Sequence, residues 1–236
     1  MSGALVTGSA KGIGRGIALE LARLGYDVAI HYRHSRAEAE ATRAEAEELG
    51  VRALALQADL TDRAAAAALV EEANAALGPL RILVNNVGNY VYTPLEELTL
   101  EEWDDVVETN LVATFVTCRA AIPLMRSAGG GRIVNIGYAG AQNLVARPGL
   151  VAYAIAKTGV VLLTKAIARA EAAHGITANV VSPGVIENSA TKPLAEIPMG
   201  REGRIEEVVA AVRWFVSDEA AYVTGQVLDV AGGWNV

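Results

Sequence analysis

A tyrosine and a lysine four residues apart, Tyr153 and Lys157, form the pair in this sequence best suited to moving a proton. The apolar pattern predicts a helix over residues 150–174, which would place both side chains on one face, one turn apart. A free phenol has a pKa near ~10, and a neighbouring ammonium favours the phenolate. The pair therefore predicts an acid/base device with a lowered tyrosine pKa, although the same spacing is typical of an ordinary exposed helix face.

The amino-acid composition argues against several classes of protein. The 236 residues are 52% hydrophobic and 20% charged, which predicts one globular domain over residues 1–236. The net charge of −7 is offset by no basic stripe, so we expect no nucleic-acid partner. No unbroken apolar run suits a membrane span, and a strand pattern begins at the N-terminus, so we expect a cytoplasmic protein. Cys118 and three scattered histidines lack metal-ligand spacing, so no metal is expected.

Short apolar segments alternate with longer helical patterns along the whole chain. Strands are predicted at residues 4–6, 28–30, 52–57, 82–84, 133–136, 178–181 and 226–230. Helices are predicted at residues 13–24, 35–49, from an N-cap at Thr61, from a capping box at Thr99 through Met125 with a bend or end at Pro123, at 150–174 and at 205–216. This order predicts an α/β Rossmann-type fold, a doubly wound parallel sheet of about seven strands with helices on both faces. Ligands of such sheets bind outside the carboxyl ends of the strands.

The first predicted strand end carries a glycine-rich loop, Thr7 to Gly14, directly before a helix. Glycines permit the tight turn and a close approach to a pyrophosphate, and the helix N-terminus favours an anion. The loop lacks the spacing of a mononucleotide-binding P-loop, so a dinucleotide is predicted. The loop residues assigned to cofactor contacts are Gly8, Ser9, Lys11, Gly12, Ile13 and Gly14.

The second predicted strand ends without the carboxylate that would bind the ribose hydroxyls of NAD. Arg33 stands there instead, and with help from Lys11 and Arg36 it could pair with a 2′-phosphate, so NADP(H) is predicted. Asp27 lies at the wrong end of this strand and is interpreted as a turn residue. After the third strand, Asp59 and Leu60 could receive the adenine amino group, or Asp59 could cap the next helix.

The fourth strand is followed by Asn86 and Gly88, which also lie at the predicted ligand edge. Asn110 lies inside the long helix that comes next. Asparagine is mildly unfavourable in a helix interior, so Asn110 predicts either a kink that its side chain supports or a water-binding role.

Six motifs follow one another along the chain in a recognisable order and spacing. They are the 7–14 glycine loop, Asn85 to Gly88, Asn110, Tyr153 with Lys157, Ser182-Pro183-Gly184, and Tyr222 to Gln226. On these motifs, which span essentially all of the sequence, the chain resembles the short-chain dehydrogenase/reductase family, close to its 3-oxoacyl-[acyl-carrier-protein] reductase branch.

The resemblance implies hydride transfer between NADP(H) and a carbonyl or alcohol. Tyr153 would protonate the nascent alkoxide, Lys157 would lower the tyrosine pKa and hold the nicotinamide ribose, and Asn110 would anchor a water that resupplies the proton. Pro183, Gly184 and Ile186 match the segment that packs on the nicotinamide. The resemblance also implies a homo-oligomer, a tetramer or a dimer, built on the helices at 100–125 and 150–174 and the last strand.

One departure from the family concerns catalysis directly. A serine that bonds the substrate oxygen is expected after the fifth strand, but the aligned residue is Tyr138, and the loop 142–149 is about two residues longer than usual. Losing an oxyanion donor costs on the order of 10²–10³ in rate. Three interpretations remain: Tyr138 supplies its own phenol, Gln142 or Asn143 supplies a donor, or the protein is an NADP(H)-binding pseudo-enzyme or sensor with little turnover.

Two further departures concern the substrate. Asn188 stands where the family usually has a threonine that bonds the carboxamide, and an amide can do the same. The segment 189–203 is shorter than the family's active-site loop, which predicts a more open site under an ordered but mobile lid. Small ketones, sugars or pterins then compete with a 3-oxoacyl thioester as substrate. Trp234 is interpreted as a core or interface aromatic.

Overall fold

The computed structural model describes residues 2–144, 147–189 and 192–235, and its centre is one parallel sheet in the order β3-β2-β1-β4-β5-β6-β7. The strands are β1 (Gly3–Val6), β2 (Asp27–Tyr32), β3 (Ala53–Gln57), β4 (Leu80–Asn85), β5 (Gly131–Ile136), β6 (Ile176–Pro183) and β7 (Val227–Val230). Every pairing is parallel. The order reverses direction beside β1, which confirms the predicted doubly wound α/β fold.

Helices cover both faces of the sheet. They are α1 (Gly12–Arg23), α2 (Arg36–Glu48), α3 (Arg63–Leu77), α4 (Leu100–Val107), α5 (Ala113–Ser127), α6 (Val151–Glu171) and α7 (Ile205–Val216). Successive strand residues point to opposite faces, so Ala4 and Val6 pack with α1, α2 and α7, whereas Leu5 packs with α3 and α5. Two apolar cores result, one on each side of the sheet, and they hold the strand ends in place.

Two predicted details of helix and strand ends were wrong. The N-cap of α3 is Asp62 rather than Thr61, because the Asp62 carboxylate accepts hydrogen bonds from the backbone amides of Ala64 and Ala65. Asp27 is not a turn residue. It is fully buried at the start of β2, where its carboxylate accepts hydrogen bonds from the backbone and guanidinium of Arg52.

The helix that starts at the capping box of Thr99 and Glu102 is interrupted at Asn110. Residues Glu108–Val112 form a π-helical turn between α4 and α5. The Asn110 amide donates to the carbonyls of Val106 and Asn89, both at 2.9 Å, so the side chain supports the kink, the first of the two predicted roles. Pro123 does not end the helix, because α5 continues to Ser127.

A row of hydrogen-bonded, buried polar side chains runs from α5 across β4 and β5 to α6, on one face of the sheet. Thr117 on α5 donates to Asn85 on β4, which donates to Asn135 on β5, which donates to Thr164 on α6, with distances of 2.7, 2.9 and 2.8 Å. All four residues are at most 5% exposed. Because each amide and hydroxyl has a partner, this network can fix α5 and α6 against the sheet without unsatisfied groups.

One helical stretch, Pro148–His174, is long and apolar enough by length and composition to cross a membrane. It comprises α6 with its flanking turns, and it packs against β6 in the protein core. The mean hydropathy of this stretch stays high although lysines interrupt it. The stretch is therefore not an unbroken apolar run, which is what the sequence prediction required.

Candidate active site

The main cleft opens at the carboxyl ends of β1, β4, β5 and β6, the edge at which ligands were predicted to bind. Its volume is about 410 Å³. The residues that line it are Ile13, Asn86, Gly88, Tyr90, Ile136, Gly137, Tyr138, Tyr153, Lys157, Pro183, Gly184, Val185, Ile186, Asn188, Ser189 and Trp234. Nine of the residues predicted from the sequence as catalytic or cofactor-binding therefore line one cavity: Ile13, Asn86, Gly88, Tyr138, Tyr153, Lys157, Pro183, Gly184 and Ile186.

Tyr153 and Lys157 lie on the first turns of α6 and face the same cleft, as their spacing predicted. The Lys157 side chain is 4% exposed, and its Nζ donates a hydrogen bond to the Ile136 carbonyl oxygen at 2.8 Å. Nζ lies 5.7 Å from the centre of the Tyr153 ring. The end of β5 thus holds the ammonium beside the phenol.

The predicted direction of the tyrosine pKa shift was wrong. Burial raises the pKa of the Tyr153 phenol well above its ordinary value, and the nearby phenols of Tyr138 and Tyr90 raise it further. Burial also lowers the pKa of Lys157 to about 8. Removing the phenol from water therefore outweighs attraction to the ammonium. At neutral pH Tyr153 is protonated, which is the form required of a proton donor.

Asn110 lies behind the cleft, not in it. It is fully buried, and a Cβ on Gly88 would lie 2.1 Å from its side-chain oxygen. Only glycine fits at position 88, because any side chain there would collide with Asn110. The amide of Asn110 donates to the Asn89 carbonyl, so its visible role is to hold the loop that follows β4.

The glycine loop is shaped for close approach of a ligand backbone. Gly8 has φ +63°, and a Cβ on Gly14 would lie 2.3 Å from the Gly8 carbonyl oxygen. Lys11 occupies the N-cap of α1 without a side-chain capping bond, which leaves the first amides of the helix available to an anion. Asn86 secures the loop, because its amide donates to the carbonyls of Thr7 and Gly8, each at 3.1 Å.

Ser9 and His31 hold this loop from inside. The Ser9 hydroxyl donates to the Val6 carbonyl at 2.7 Å and accepts from the His31 amide at 3.0 Å, so its side chain is engaged within the protein. The Gly8 amide donates to His31 Nδ1 at 2.9 Å, which places the ring proton on Nε2, 3.1 Å from the Ala58 carbonyl. Burial lowers the pKa of His31. The sequence analysis overlooked this role because it considered histidines only as metal ligands.

Arg33 and Asp59 follow neighbouring strands and contact each other. Their side chains form an ion pair at 2.8 Å, and both are partly exposed. The other Asp59 oxygen accepts from the amide and hydroxyl of Thr61 at 3.0 and 2.8 Å, so Asp59 orders the turn before α3. Leu60 is buried at 5% exposure. Arg33 directly follows β2, the strand whose end binds the adenosine ribose of a dinucleotide in sheets of this kind.

These residues fit a nicotinamide dinucleotide. The close-packed Gly8–Gly14 turn and the uncapped N-terminus of α1 suit a pyrophosphate. Pro183, Gly184 and Ile186 line the same cleft as Tyr153, and a flat ring can pack against them.

Tyr138 lies on the cleft wall but is turned into the protein. The residue is 9% exposed, and its hydroxyl is buried without a hydrogen-bond partner among the described residues. Burial raises the pKa of this phenol, and the charge of Arg147 partly opposes the rise. A small cavity of about 20 Å³ beside the ring is lined by Arg147, Thr158 and Asn235, among others, and a water would fit there.

Neither alternative donor from the longer loop reaches the main cleft. Gln142 donates to Asp229 at 3.1 Å and Asn143 to the Asn235 carbonyl at 3.1 Å. Both therefore tie the loop to the C-terminal segment. Val145 and Ala146 of this loop lie outside the described residues.

Tyr90 and Trp234 complete an aromatic lining that the sequence analysis missed. The Tyr90 ring meets the Tyr153 ring edge-on, with centroids 5.2 Å apart, and the Tyr138 ring does the same at 5.5 Å. Trp234 packs edge-on against Tyr138, and Arg147 lies 5.0 Å from its ring centre. The position of Tyr90 two residues after Gly88 at a strand end was a usable signal, whereas the C-terminal Trp234 gave none.

The described part of the 189–203 segment packs beside this lining. The Trp234 indole donates to Glu196 at 3.2 Å, and the Met199 amide donates to the Gly232 carbonyl at 3.1 Å. Asn188 approaches the glycine loop, since its amide nitrogen lies 2.9 Å from where a Cβ on Gly12 would be. Ala190 and Thr191 of the predicted lid lie outside the described residues.

Comparisons with known proteins cover almost the whole chain. A family model described as Enoyl-(Acyl carrier protein) reductase matches residues 8–235. The 3-oxoacyl-[acyl-carrier-protein] reductase FabG of Staphylococcus aureus is 39% identical over 239 residues, which cover 98% of this chain and 96% of the relative. Among solved structures, a putative short-chain alcohol dehydrogenase from Sinorhizobium meliloti 1021 superimposes with a TM-score of 0.93 at 36% identity, covering 99% of this chain and 96% of that one. A blue fluorescent protein from a metagenomic library, solved in complex with NADPH, gives 0.92 at 36% identity, covering 100% and 98%.

Proposed function

The chain belongs to the short-chain dehydrogenase/reductase family, and on that premise we propose that it reduces a carbonyl compound to an alcohol with NADP(H). Family membership makes the protein an oxidoreductase. The observation that carries the proposal is the meeting of Tyr153 and Lys157 in one cleft with the Pro183–Ile186 wall, at the strand edge that also carries the glycine loop.

The roles of the chain's own residues follow from their environment. The bound nicotinamide would supply the hydride. Tyr153, protonated at neutral pH, donates a proton to the oxygen that becomes the alcohol. Lys157, held by the Ile136 carbonyl, orients the nicotinamide ribose and places a positive charge near the phenol as it loses its proton. Asn110 supports the site by shaping the π-helical turn and the loop at Asn89, and the water proposed for it would restore the proton.

We propose that the protein prefers NADP(H) to NAD(H), because the positively charged side chain of Arg33 follows β2. Arg33 directly follows β2, and Lys11 occupies the N-cap position of α1 in the glycine loop. The Arg33 guanidinium is exposed enough to bind a phosphate while it pairs with Asp59. Asp59 and Leu60 lie where the adenine would be received. The NADPH-bound structural neighbour is consistent with this preference.

The proposals for the substrate and for the oligomeric state each cover more than one possibility. The similarity to 3-oxoacyl-[acyl-carrier-protein] reductases favours a 3-oxoacyl thioester, and the aromatic cleft also suits small diketones or pterins. We further propose a cytoplasmic homo-oligomer, a tetramer or a dimer, as the family resemblance implies. A cofactor-binding protein without turnover, the alternative raised by Tyr138, has no support from the comparisons.

The experiment that tests this function measures consumption of NADPH by the purified protein with an acetoacetyl thioester, a set of diketones and a pterin. Reduction of at least one carbonyl is expected, and the binding of NADPH is expected to be tighter than that of NADH in a fluorescence titration. Binding of NADPH without reduction of any carbonyl would contradict the proposed reaction. Tighter binding of NADH would contradict only the role given to Arg33.

A further inference from the structure

The family serine that would donate a hydrogen bond to the substrate oxygen beside Tyr153 is replaced in this chain. Tyr138 occupies the position of the family serine, but its hydroxyl is buried and cannot contact a ligand in the cleft without rotation of the side chain. Gln142 and Asn143 do not line the cleft. A second donor must therefore come from another part of the lining.

Most other polar groups of the lining are engaged or point elsewhere. The Asn86 amide donates to the glycine loop, and the Trp234 indole donates to Glu196. Asn188 approaches Gly12, and the Ser189 hydroxyl accepts from the Ile186 amide at 2.9 Å. Asn86, Trp234 and Ser189 therefore have hydrogen-bond partners within the protein, and Asn188 lies at the glycine-loop end of the cleft.

Tyr90 has the properties that the others lack. Its side chain is 43% exposed, it lines the cleft, and its ring touches the Tyr153 ring at a centroid distance of 5.2 Å and an interplanar angle of 74°. No hydrogen bond joins its hydroxyl to the described residues, and the residue is exposed to the cleft that it lines. A phenol so placed can donate to a ligand that also contacts Tyr153.

The residues flanking Tyr90 hold it in place. The Asn89 side-chain amide donates to the Asp105 carboxylate at 2.5 Å. The backbone amide of Asn89 donates to the Thr109 hydroxyl at 3.3 Å, and its backbone carbonyl accepts from the Asn110 side chain at 2.9 Å. On the other side, Val91 packs in an apolar cluster under α4. The π-helical turn around Asn110 thereby positions the loop that presents Tyr90.

We propose that Tyr90 donates the second hydrogen bond to the substrate carbonyl oxygen, in place of the missing serine, an assignment that rests on the proposed function. In this reaction the carbonyl carbon accepts a hydride from the reduced nicotinamide, and the electron pair of the C=O π bond moves onto the oxygen. Tyr153 transfers its proton to that oxygen. Tyr90 keeps its own proton and stabilises the developing negative charge.

The test replaces single hydroxyl groups and leaves the rings. Tyr90→Phe is expected to lower kcat by about 10²-fold with KM little changed, because the donor matters most when charge develops on the oxygen. Tyr92→Phe, on the same loop but outside the cleft lining, is the matched control and is expected to keep wild-type activity. Tyr138→Phe is expected to lose much less than Tyr90→Phe.

A binding measurement makes the test independent of turnover. The unreactive cyclic amide 2-pyrrolidone offers a carbonyl oxygen, and its dissociation constant can be measured by isothermal titration calorimetry. Tyr90→Phe is expected to weaken this binding by roughly threefold to tenfold, the loss of one hydrogen bond. Equal dissociation constants, no binding to either protein, or wild-type kcat in Tyr90→Phe would overturn the assignment. A wild-type protein that binds 2-pyrrolidone through Tyr90 but reduces no carbonyl would instead overturn the proposed function.

Discussion

The Lys157 ammonium, which lines the cleft, is a charged group almost completely shielded from water. The hydrogen bond from Lys157 to the Ile136 carbonyl does not offset the loss of hydration, and the pKa of Lys157 falls to about 8. The sequence predicted that Tyr153 and Lys157 would meet, because spacing alone decides which helix face they share. It could not predict the direction of the tyrosine pKa shift, which depends first on burial of the phenol and then on the phenols of Tyr138 and Tyr90 brought in from other parts of the chain.

The first prediction concerns the pH dependence of stability. Because the folded-state pKa of Lys157 is below its ordinary value of 10.5, the unfolded chain binds a proton that the folded chain does not between about pH 8 and 10.5. This group therefore makes stability rise with pH across that window, by at most about 1.4 kcal/mol for each pH unit, and its effect is constant below pH 8.

Lys157→Met is expected to lose this rise, so the difference in unfolding free energy between wild type and variant should grow in favour of wild type from about pH 8 upward. Denaturant titrations at a series of pH values measure it. Lys165→Met, on the exposed side of the same helix, is the control and should follow the wild-type pH dependence. Parallel curves for wild type and Lys157→Met would show that the buried ammonium does not titrate as described.

At the scale of elements, the order of strands and helices was readable from the sequence, and α7 was predicted at its observed bounds, Ile205–Val216. Periodicity captures such elements because each must bury one face. The π-helical turn at Glu108–Val112 was not readable, since it depends on hydrogen bonds from Asn110 to a loop that another strand brings close. The N-cap of α3 was misassigned by one residue, because Thr61 and Asp62 are both good caps.

The second prediction tests the turn between β1 and α1. Gly14→Ala would place a methyl group 2.3 Å from the Gly8 carbonyl, a backbone atom that cannot yield without moving the loop. The variant is expected to lose NADPH binding and to unfold at a lower temperature. Gly16→Ala is the matched control, because its methyl group would meet only side-chain methyls of Ile205 and Val209. It is expected to keep NADPH binding, and equal binding by both variants would contradict the proposed fit.

At the scale of the whole molecule, the site depends on two apolar cores, one on each side of the sheet, and on the Thr117–Asn85–Asn135–Thr164 network, which ties α5 and α6 to one of these faces. The sequence predicted the sheet and the edge where ligands bind, because parallel connectivity decides both. It did not predict that polar side chains would be buried between one face of the sheet and the helices that cover it. Asparagine and threonine in strand and helix patterns look the same whether they face water or each other.

Cys118 offers a test of this interior. It is 1% exposed, and its Sγ accepts a hydrogen bond from Asn85 in the network. Burial raises the pKa of the thiol to about 12, although its hydrogen bonds with Asn85, which donates, and with Asn135, which accepts, oppose the rise. The thiol is expected to resist a disulfide reagent in the native protein and to react only at the rate of global unfolding. Rapid labelling under native conditions would mean that the α5 side of the sheet opens locally.

The role of Tyr153 as proton donor can be tested by the rate of NADPH-dependent carbonyl reduction by Tyr153→Phe, compared with wild type on the same substrate. The phenylalanine keeps the edge-on contacts with Tyr90 and Tyr138 and removes only the proton donor. A fall in kcat of about 10²–10⁴-fold, with NADPH still bound, is the predicted result. Turnover at the wild-type rate would contradict the assignment of Tyr153 as the group that protonates the substrate oxygen.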